Sequence, residues 1–490
     1  MCCRRRSFVR ILVLGCALAC DARPALAQPG APQASREGGQ VVAGPAAGGL
    51  SGALQNPLMG GVPGGGITPG PLRLSLHDAV QRGLERNLGA VLGRERVRAA
   101  DGARWMSMSG LLPTLYADIA QSRQQINLEA YGFPVPPGES PIIGPFNVSD
   151  RRISLAQTVF DYSAIQDARA GAATKAASGL AYQDVREQVV VVVANLYFQA
   201  VATASRVESV RAQQRTAEAL FARARAMKEA GTAAGIEVIR AQVQVENQNQ
   251  RVIYYENEFA KQTLMLARAI GVPLAQAIEL TDQVPFKAFD AMPLDDALAQ
   301  AYAKRADYLA ALELLKASEA RRRSAYGSLA PSVHLAANYG DIGNSWSAAL
   351  GTYAVLASVR VPIFQAGRER GRVLIADAAL QQDRAQLADL KARIELEVRA
   401  AYLDLRAADE RVRVARRAAD LANQQMVQAQ DRFAAGVASH VEVVQAQEAV
   451  ATESENLIAS LFAHNLAKAA LARATGMAED AAERLLGEQQ

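Results

Sequence analysis

Apolar side chains recur along most of this chain at a helical period, and two stretches of the pattern repeat one another. Leu76-His77-Asp78-Ala79-Val80 opens a helical segment that closes at Leu111-Leu112-Pro113, and Leu294-Asp295-Asp296-Ala297-Leu298 opens another that closes at Leu329-Ala330-Pro331. Asp78 and Asp296 lie 218 residues apart, as do Pro113 and Pro331. Farther on, Gly231 with Glu237-Val238 recurs as Gly436 with Glu442-Val443, Leu266 to Gly271 recurs as Leu471 to Gly476, and Tyr197 recurs as Tyr402, all at 205 residues. The offset changes between Pro113 and Phe160, a span of 47 positions against 33 from Pro331 to Phe364. The chain therefore reads as two copies of one unit that differ in length at one place.

At that place the period falls to two. Val333, Leu335, Ala337 and Tyr339 alternate with His334, Ala336, Asn338 and Gly340, and Val355, Ala357, Val359 and Val361 make a second such row, so each copy is predicted to carry a β-hairpin. The turns are expected at about Tyr131 to Asn147 and Asp341 to Thr352, where Gly, Pro, Asn and Ser gather. Two hairpins give four strands per chain. The smallest membrane barrel needs about eight, so strand pairing must continue onto other chains.

A very long helix follows each hairpin. In the second copy Val373, Leu380, Leu387, Ile394, Ala401, Ala408, Ala415, Ala422 and Ala429 stand at every seventh position, joined midway by Val398, Leu405, Val412, Ala419, Met426 and Phe433. That is a sustained coiled-coil seam. Neither Pro nor Gly interrupts residues 372 to 435, so this rod should reach nearly 100 Å before folding back near Gly436 into a second helix that ends near Gly476. The first copy repeats the plan from about Asp161 to Ala230 and back to Gly271. Its run Val189 to Val193 has strand propensity, but Asn195 and Gln199 break it, and burial between helices is expected.

Composition adds the two ends of the chain. Residues 4 to 10 are basic, 11 to 19 are apolar, and Ala25-Leu26-Ala27 is an A-x-A cleavage signal, so residues 1–27 are predicted to be an export signal. Cys20 as a lipidated N-terminus and Arg5-Arg6-Ser7-Phe8 as a twin-arginine signal are alternatives. All four cysteines, Cys2, Cys3, Cys16 and Cys20, fall in this segment, which leaves a mature chain without a thiol. Outside the signal, 48 of the 53 basic and 48 of the 49 acidic residues remain, so the formal charge is balanced and nothing points to nucleic acid. Residues 28 to 70 hold 13 Gly and 6 Pro, the composition of a flexible tether. The layout is then a signal (1–27), a tether (28–71), a first repeat (72–271, hairpin 113–160, helical hairpin 161–271), a linker (272–293), a second repeat (294–476, hairpin 331–364, helical hairpin 365–476) and a tail (477–490).

The duplicated helix-hairpin-helix plan, the Leu-Leu-Pro strand entry and the Gly-x5-Glu-Val helix starts resemble the TolC-like outer-membrane efflux proteins over roughly residues 72 to 480. The resemblance implies a mainly α fold with a small β part: a long α-helical coiled-coil barrel in the periplasm and a trimeric 12-stranded transmembrane β-barrel, four strands per chain. It further implies a homotrimer in outer-membrane lipid that acts as a passive exit duct for an inner-membrane efflux pump and its periplasmic adaptor. By the same likeness Glu442 and Gln445 stand at the narrow tunnel end, with Glu237 and Arg240 in the matching places of the first copy and Phe433 at an aromatic gate position. Three copies of Glu442 in a narrow aperture would repel one another and attract cations. The turns at Gly231-Thr232 and Gly436-Val437 resemble adaptor-docking tips. Each reading competes with a plainer one: a Glu complementing a helix dipole, a helix-breaking Gly, a seam Phe.

No H-E-x-x-H, G-x-S-x-G or G-x-x-x-x-G-K-[ST] pattern occurs, and His77, His334, His440 and His464 are scattered, so no enzyme activity, cofactor or metal site is expected. A coiled-coil surface fibre is the rival class. Within the duct class, drug efflux, metal efflux and type I protein secretion stay open.

Overall fold

The computed structural model describes residues 56–480, apart from 233, 283–285, 287–291, 436 and 439. The signal segment with its four cysteines, the tether before residue 56 and the tail after residue 480 lie outside the described residues. Strand β1 (Leu72–Leu74) leads into helices α1 (Leu76–Arg86) and α2 (Leu88–Ser109), the hairpin β2 (Thr114–Asn127) and β3 (Ile142–Phe160), and the helical pair α3 (Tyr162–Glu229) and α4 (Gly235–Ala269). The second copy follows: β4 (Ile278–Leu280), α5 (Leu294–Lys304), α6 (Ala306–Gly327), β5 (Ser332–Gly343), β6 (Leu350–Arg360), α7 (Arg368–Ala434) and α8 (His440–Ala474).

The duplication holds residue by residue in the helices. α1 and α5 have 11 residues each, α2 and α6 have 22, α4 and α8 have 35, and α3 and α7 have 68 and 67. The two longest are rods of about 100 Å. Their length needs tertiary support, and the heptad seam supplies it. Leu380, Ile394, Val398, Ala401, Leu405, Ala408, Val412, Ala415, Ala419, Ala422 and Ala429 are all buried. Val189 to Val193 lie inside α3, where Val189, Val190 and Val193 pack in a core with Leu74, Val80, Leu266 and Ile270. Burial in that core overrides the strand propensity of the valine run. α3 also contains the one window among the described residues that is apolar and long enough to cross a membrane, and 61% of that window is buried inside the protein.

The strands form one antiparallel sheet in the order β2-β3-β5-β6, so β2 and β6 are both open edges. The register aligns Leu115, Ala117 and Ile119 of β2, Ile153 and Leu155 of β3, Val333 to Tyr339 of β5 and Tyr353 to Val359 of β6 on one face, alternate residues only. The opposite face carries Asp118, Asp150, Arg152, Asn338 and Thr352. At the turn end the apolar rows stop at a polar rung. There Arg151 binds Asp341 at 2.7 Å and lies over the Trp346 ring, whose Nε1 donates to Gln121. The turns occupy residues 128–141 and 344–349, shorter than the sequence indicates, because Ile142 and Ile143 extend β3 to pair with Asn127 and Ile126 across a bulge.

The tether expectation needs a correction from residue 56 onward. Residues 57–59 make a 3-10 turn, Asn87 Nδ2 donates to the Leu58 and Ala269 carbonyls, Val62 N–H donates to Arg86, Gly64 N–H to Gly271, and Thr68 N–H to Gln276 Oε1. Glycine is what permits this docking. A Cβ on Gly61 would stand 2.4 Å from the Arg268 carbonyl and 2.5 Å from the Gly271 nitrogen.

Where α8 ends beside the start of α6 lies an ionic cluster. Arg305, 2% exposed, caps the start of α6; its Nε and Nη2 donate to Asp307 at 3.0 and 2.7 Å, and its Nη1 donates to Glu397 of α7 at 2.6 Å. Arg473 of α8 pairs with Asp184 and Glu187 of α3. Burial works against the Arg305 charge, but its two carboxylate partners outweigh it and hold the guanidinium above its usual pKa. Burial pushes Asp184 up against the pull of Arg473, and it pushes Glu187 up to about 7. Asp307 is held below the usual range because the bonds from Arg305 overcome its burial.

Arg305→Ala would leave two partly exposed carboxylates without their buried partner, and a loss of about 1–3 kcal/mol is expected, read as a fall in the thermal midpoint of the purified protein. Glu187 titrates higher in the folded than in the unfolded chain, so its contribution to stability is full below pH 4.5 and is lost as pH rises through about 7. Glu187→Gln should flatten the decline in thermal midpoint across that window; an unchanged slope would assign the pH dependence elsewhere.

Candidate functional site

The two helical hairpins end in turns built alike. In the first, Gly231 is left-handed at φ +73°, its N–H donates to Lys228, and Thr232 N–H donates back to Met227 at 2.8 Å. This is a Schellman closure, and Thr232 Oγ1 adds a bond to the same carbonyl. In the second, Val437 N–H donates to Arg432 at 3.0 Å, the corresponding bond. Gly436 lies outside the described residues. The turn surfaces are apolar: Val437 is 68% exposed, Ile239 is 59% exposed, and Ile236, Val243 and Val441 are exposed beside them.

Glu442, in the first turn of α8, accepts from Arg432 Nε at 3.0 Å, across the turn and inside its own hairpin. Glu237, in the first turn of α4, accepts from Arg240 at 2.8 Å. Both acids therefore have a cationic partner in the same chain, and the pairs close within each hairpin rather than between the two. Gln445 is exposed. Phe433 is half-buried against Leu220, Met426, Ala429, Val443 and Ala446, with the Arg223 guanidinium over its ring at 5.3 Å. Thus Phe433 ties α7 to α3, and the seam reading describes its place.

Sequence reasoning missed Arg432, Arg223 and the cluster around Arg305. Arg432 precedes Glu442 by ten residues, and only closure of the turn brings them together. The repeat held a signal for Arg305: at 218 residues' offset it replaces Asn87, and Arg305 Nη1 and Asn87 Nδ2 reach the equivalent carbonyls of Ala474 and Ala269. Among the described residues no set of three or more His, Cys, Asp or Glu side chains is arranged to hold a metal.

The class these features define is a protein with an open four-stranded sheet, apolar on one face, joined to two helices of about 100 Å that each pack against shorter ones. The profile of the family described as outer membrane efflux protein matches residues 91–272 and 297–477, most of the chain, and the chain belongs to that family. It is 28% identical over 183 residues to the probable efflux pump outer membrane protein TtgC of Pseudomonas putida, a match spanning 36% of this chain and 37% of that relative. Its fold is similar to the outer membrane protein VceC of Vibrio cholerae, with a TM-score of 0.71 at 17% identity over 82% of this chain and 96% of the other. It is similar too to the Campylobacter jejuni CmeC outer membrane channel, with a TM-score of 0.73 at 16% identity over 82% and 86%. The twofold plan of helices and hairpins read from the sequence is thus the fold of this family.

Gly231→Ala places a Cβ on a left-handed residue and should cost about 1 kcal/mol. Arg432→Ala removes an exposed pair and should cost less than about 1 kcal/mol. Hydrogen exchange at the two turns checks both; a larger loss for Arg432→Ala would make the pair a structural brace.

Proposed function

We propose that the protein is the outer-membrane exit channel of a tripartite efflux system, working as a homotrimer with a periplasmic adaptor and an inner-membrane pump. The observation that carries this reading is the four-stranded sheet, apolar on one face, with both edges open. β5 and β6, with 12 and 11 residues, suit the about 9–11 tilted residues that cross a bilayer. Inside hydrocarbon an unpaired strand edge is costly, and three copies pairing β6 of one with β2 of the next close 12 antiparallel strands.

The helices support the same closure. α2 packs on α3, α3 on α6 and α6 on α7, repeating the strand order and leaving α2 and α7 at the edges; lower down, α4 and α7 are the edges. Those edge helices bear exposed apolar residues. On α7, Leu396, Leu403, Val414 and Leu421 form a second seam apart from the buried one, and α4 exposes Ile239, Val243, Ile253 and Tyr254. Surfaces of this kind mark association. The rods then extend through the periplasm, and their apolar turns at Thr232 and Val437 face the adaptor. Cargo passes without a chemical step.

At the tip, Glu442 meets its neighbours as a neutralised pair with Arg432, so the ring does not present three bare carboxylates. Single-channel recording in planar bilayers tests the whole reading, beginning from a heat-sensitive trimer. The parent should open small, weakly cation-selective channels, Arg432→Ala should raise cation over anion permeability severalfold, and Glu442→Ala should lower it. A monomer or fibre that never inserts would sink the channel reading; insertion with unchanged selectivity in both variants would remove Glu442 from the aperture.

A further inference from the structure

The balanced charge of the chain conceals an uneven distribution. Where the second hairpin meets its helices, the last two turns of α6 carry Arg321, Arg322 and Arg323, and α7 begins with Arg368, Arg370 and Arg372. The two groups are neighbours: Arg322 pairs with Asp377 of α7, and Ser328, just past α6, donates to Glu369. Acids offset part of the charge, since Arg372 binds Glu369 at 3.3 Å and Arg323 lies 3.7 Å from Glu319. Arg368 and Arg370 are exposed and have no partner among the described residues.

Three arginines in the first five residues of a 67-residue helix oppose its dipole, which favours anions there. Helix stability therefore does not account for them. The first copy keeps only one arginine of this group: at the matching offsets Arg321, Arg322 and Arg323 correspond to Ala103, Arg104 and Trp105, and Arg368 and Arg370 to Ser163 and Ile165.

Beside the arginines stand two apolar side chains that the chain leaves open. Ile363 is 95% exposed and Phe364 is 86% exposed, in the link between β6 and α7. Past the end of β6, Ile363 keeps the alternation of Val355, Ala357, Val359 and Val361 in the sequence, and Phe364 follows it toward α7. Tyr326 lies under the Arg322 guanidinium at 5.2 Å. The succession from the apolar sheet face through exposed Ile and Phe to aromatic and arginine matches a membrane from acyl core to headgroup.

Resting on the reading of the strands as membrane-spanning, we propose that this rim is a docking surface for anionic phospholipid. Arg368 and Arg370 meet the headgroup phosphates, and Ile363 and Phe364 lie in the acyl edge above them. Charge complementarity and continuity with the apolar sheet face select this occupant, since a zwitterionic headgroup offers no net charge to an unpaired arginine. The surface would fix the height at which the sheet sits and the leaflet the rods leave from.

The test uses the full chain, extracted as a trimer in neutral detergent and first shown to conduct in neutral bilayers. It is then given an equimolar mixture of phosphatidylglycerol and phosphatidylethanolamine, and retained lipid is counted by native mass spectrometry. The parent should prefer phosphatidylglycerol, and the preference should fall with salt. Arg368→Gln with Arg370→Gln should reduce it by roughly fivefold per arginine, whereas Arg368→Lys with Arg370→Lys should keep most of it. Equal retention of the two lipids by a conducting parent would overturn the inference and leave the channel reading intact. So would a Gln variant that keeps the preference, or inorganic phosphate that competes as well as the lipid, since the site would then bind a small anion. A parent that never inserts would remove both readings.

Discussion

An unpaired strand edge has no place in hydrocarbon, and the rest of this structure follows from that constraint. Each backbone N–H and C=O left open in the bilayer core costs several kcal/mol, so a sheet of four strands is stable there only as part of a closed set. β2 and β6 are the two open edges, and β2 is exposed along nearly its whole length. Helices in the same lateral order as the strands carry the requirement downward. The apolar residues left open on α4 and α7 are the helical form of the same incompleteness.

A rod of about 100 Å held by a seam rich in alanine needs a fixed point, and the ends of the shorter helices provide one. The two copies solve this differently. In the first, Asn87 and two close-fitting glycines, Gly61 and Gly271, clamp the strap of residues 56–70 against the end of α4. In the second, Arg305 takes the place of Asn87 and draws Asp307, Glu397 and the Ala474 carbonyl together. With Arg473, Asp184 and Glu187 nearby, four carboxylates share two guanidinium groups; burial, reinforced by Asp184 and Asp307, pushes Glu187 up to about 7, while the bonds from Arg305 overcome burial at Asp307 and hold it down. Duplicated sequence thus yields one neutral and one ionic joint at the same level.

Much of the fold was legible because periodicity survives in the sequence when contacts do not. The offsets of 218 and 205 residues reappear as helices of matching length, and the heptad positions from Leu380 to Ala429 are buried, apart from the half-buried Leu387 and Met426. The change of offset falls in the hairpins, where β3 has 19 residues against 11 for its counterpart β6. What composition could not show was a glycine-rich strap held by backbone-to-backbone approach, since glycine is common in tethers and in close packing alike. Pairs between different helices were hidden in a similar way: Arg432 on Glu442 across a turn, and Arg223 on Phe433 between the two copies, join residues that no single helical face puts side by side. The exposed apolar residues of α7 were legible only once the buried seam was identified and subtracted.

Oxidative cross-linking tests closure of the sheet most directly. All four cysteines lie within the first 20 residues, so cysteines placed on the two open edges give a clear signal once the segment holding them is removed. Ala117→Cys on β2, combined with Ala357→Cys or Val359→Cys on β6, sets both thiols on the apolar face near mid-height. The account predicts, for at least one combination, disulfide-linked species that stop at three chains in membranes, with neither single variant linked. Monomers alone, or a ladder that runs past three chains, would contradict it.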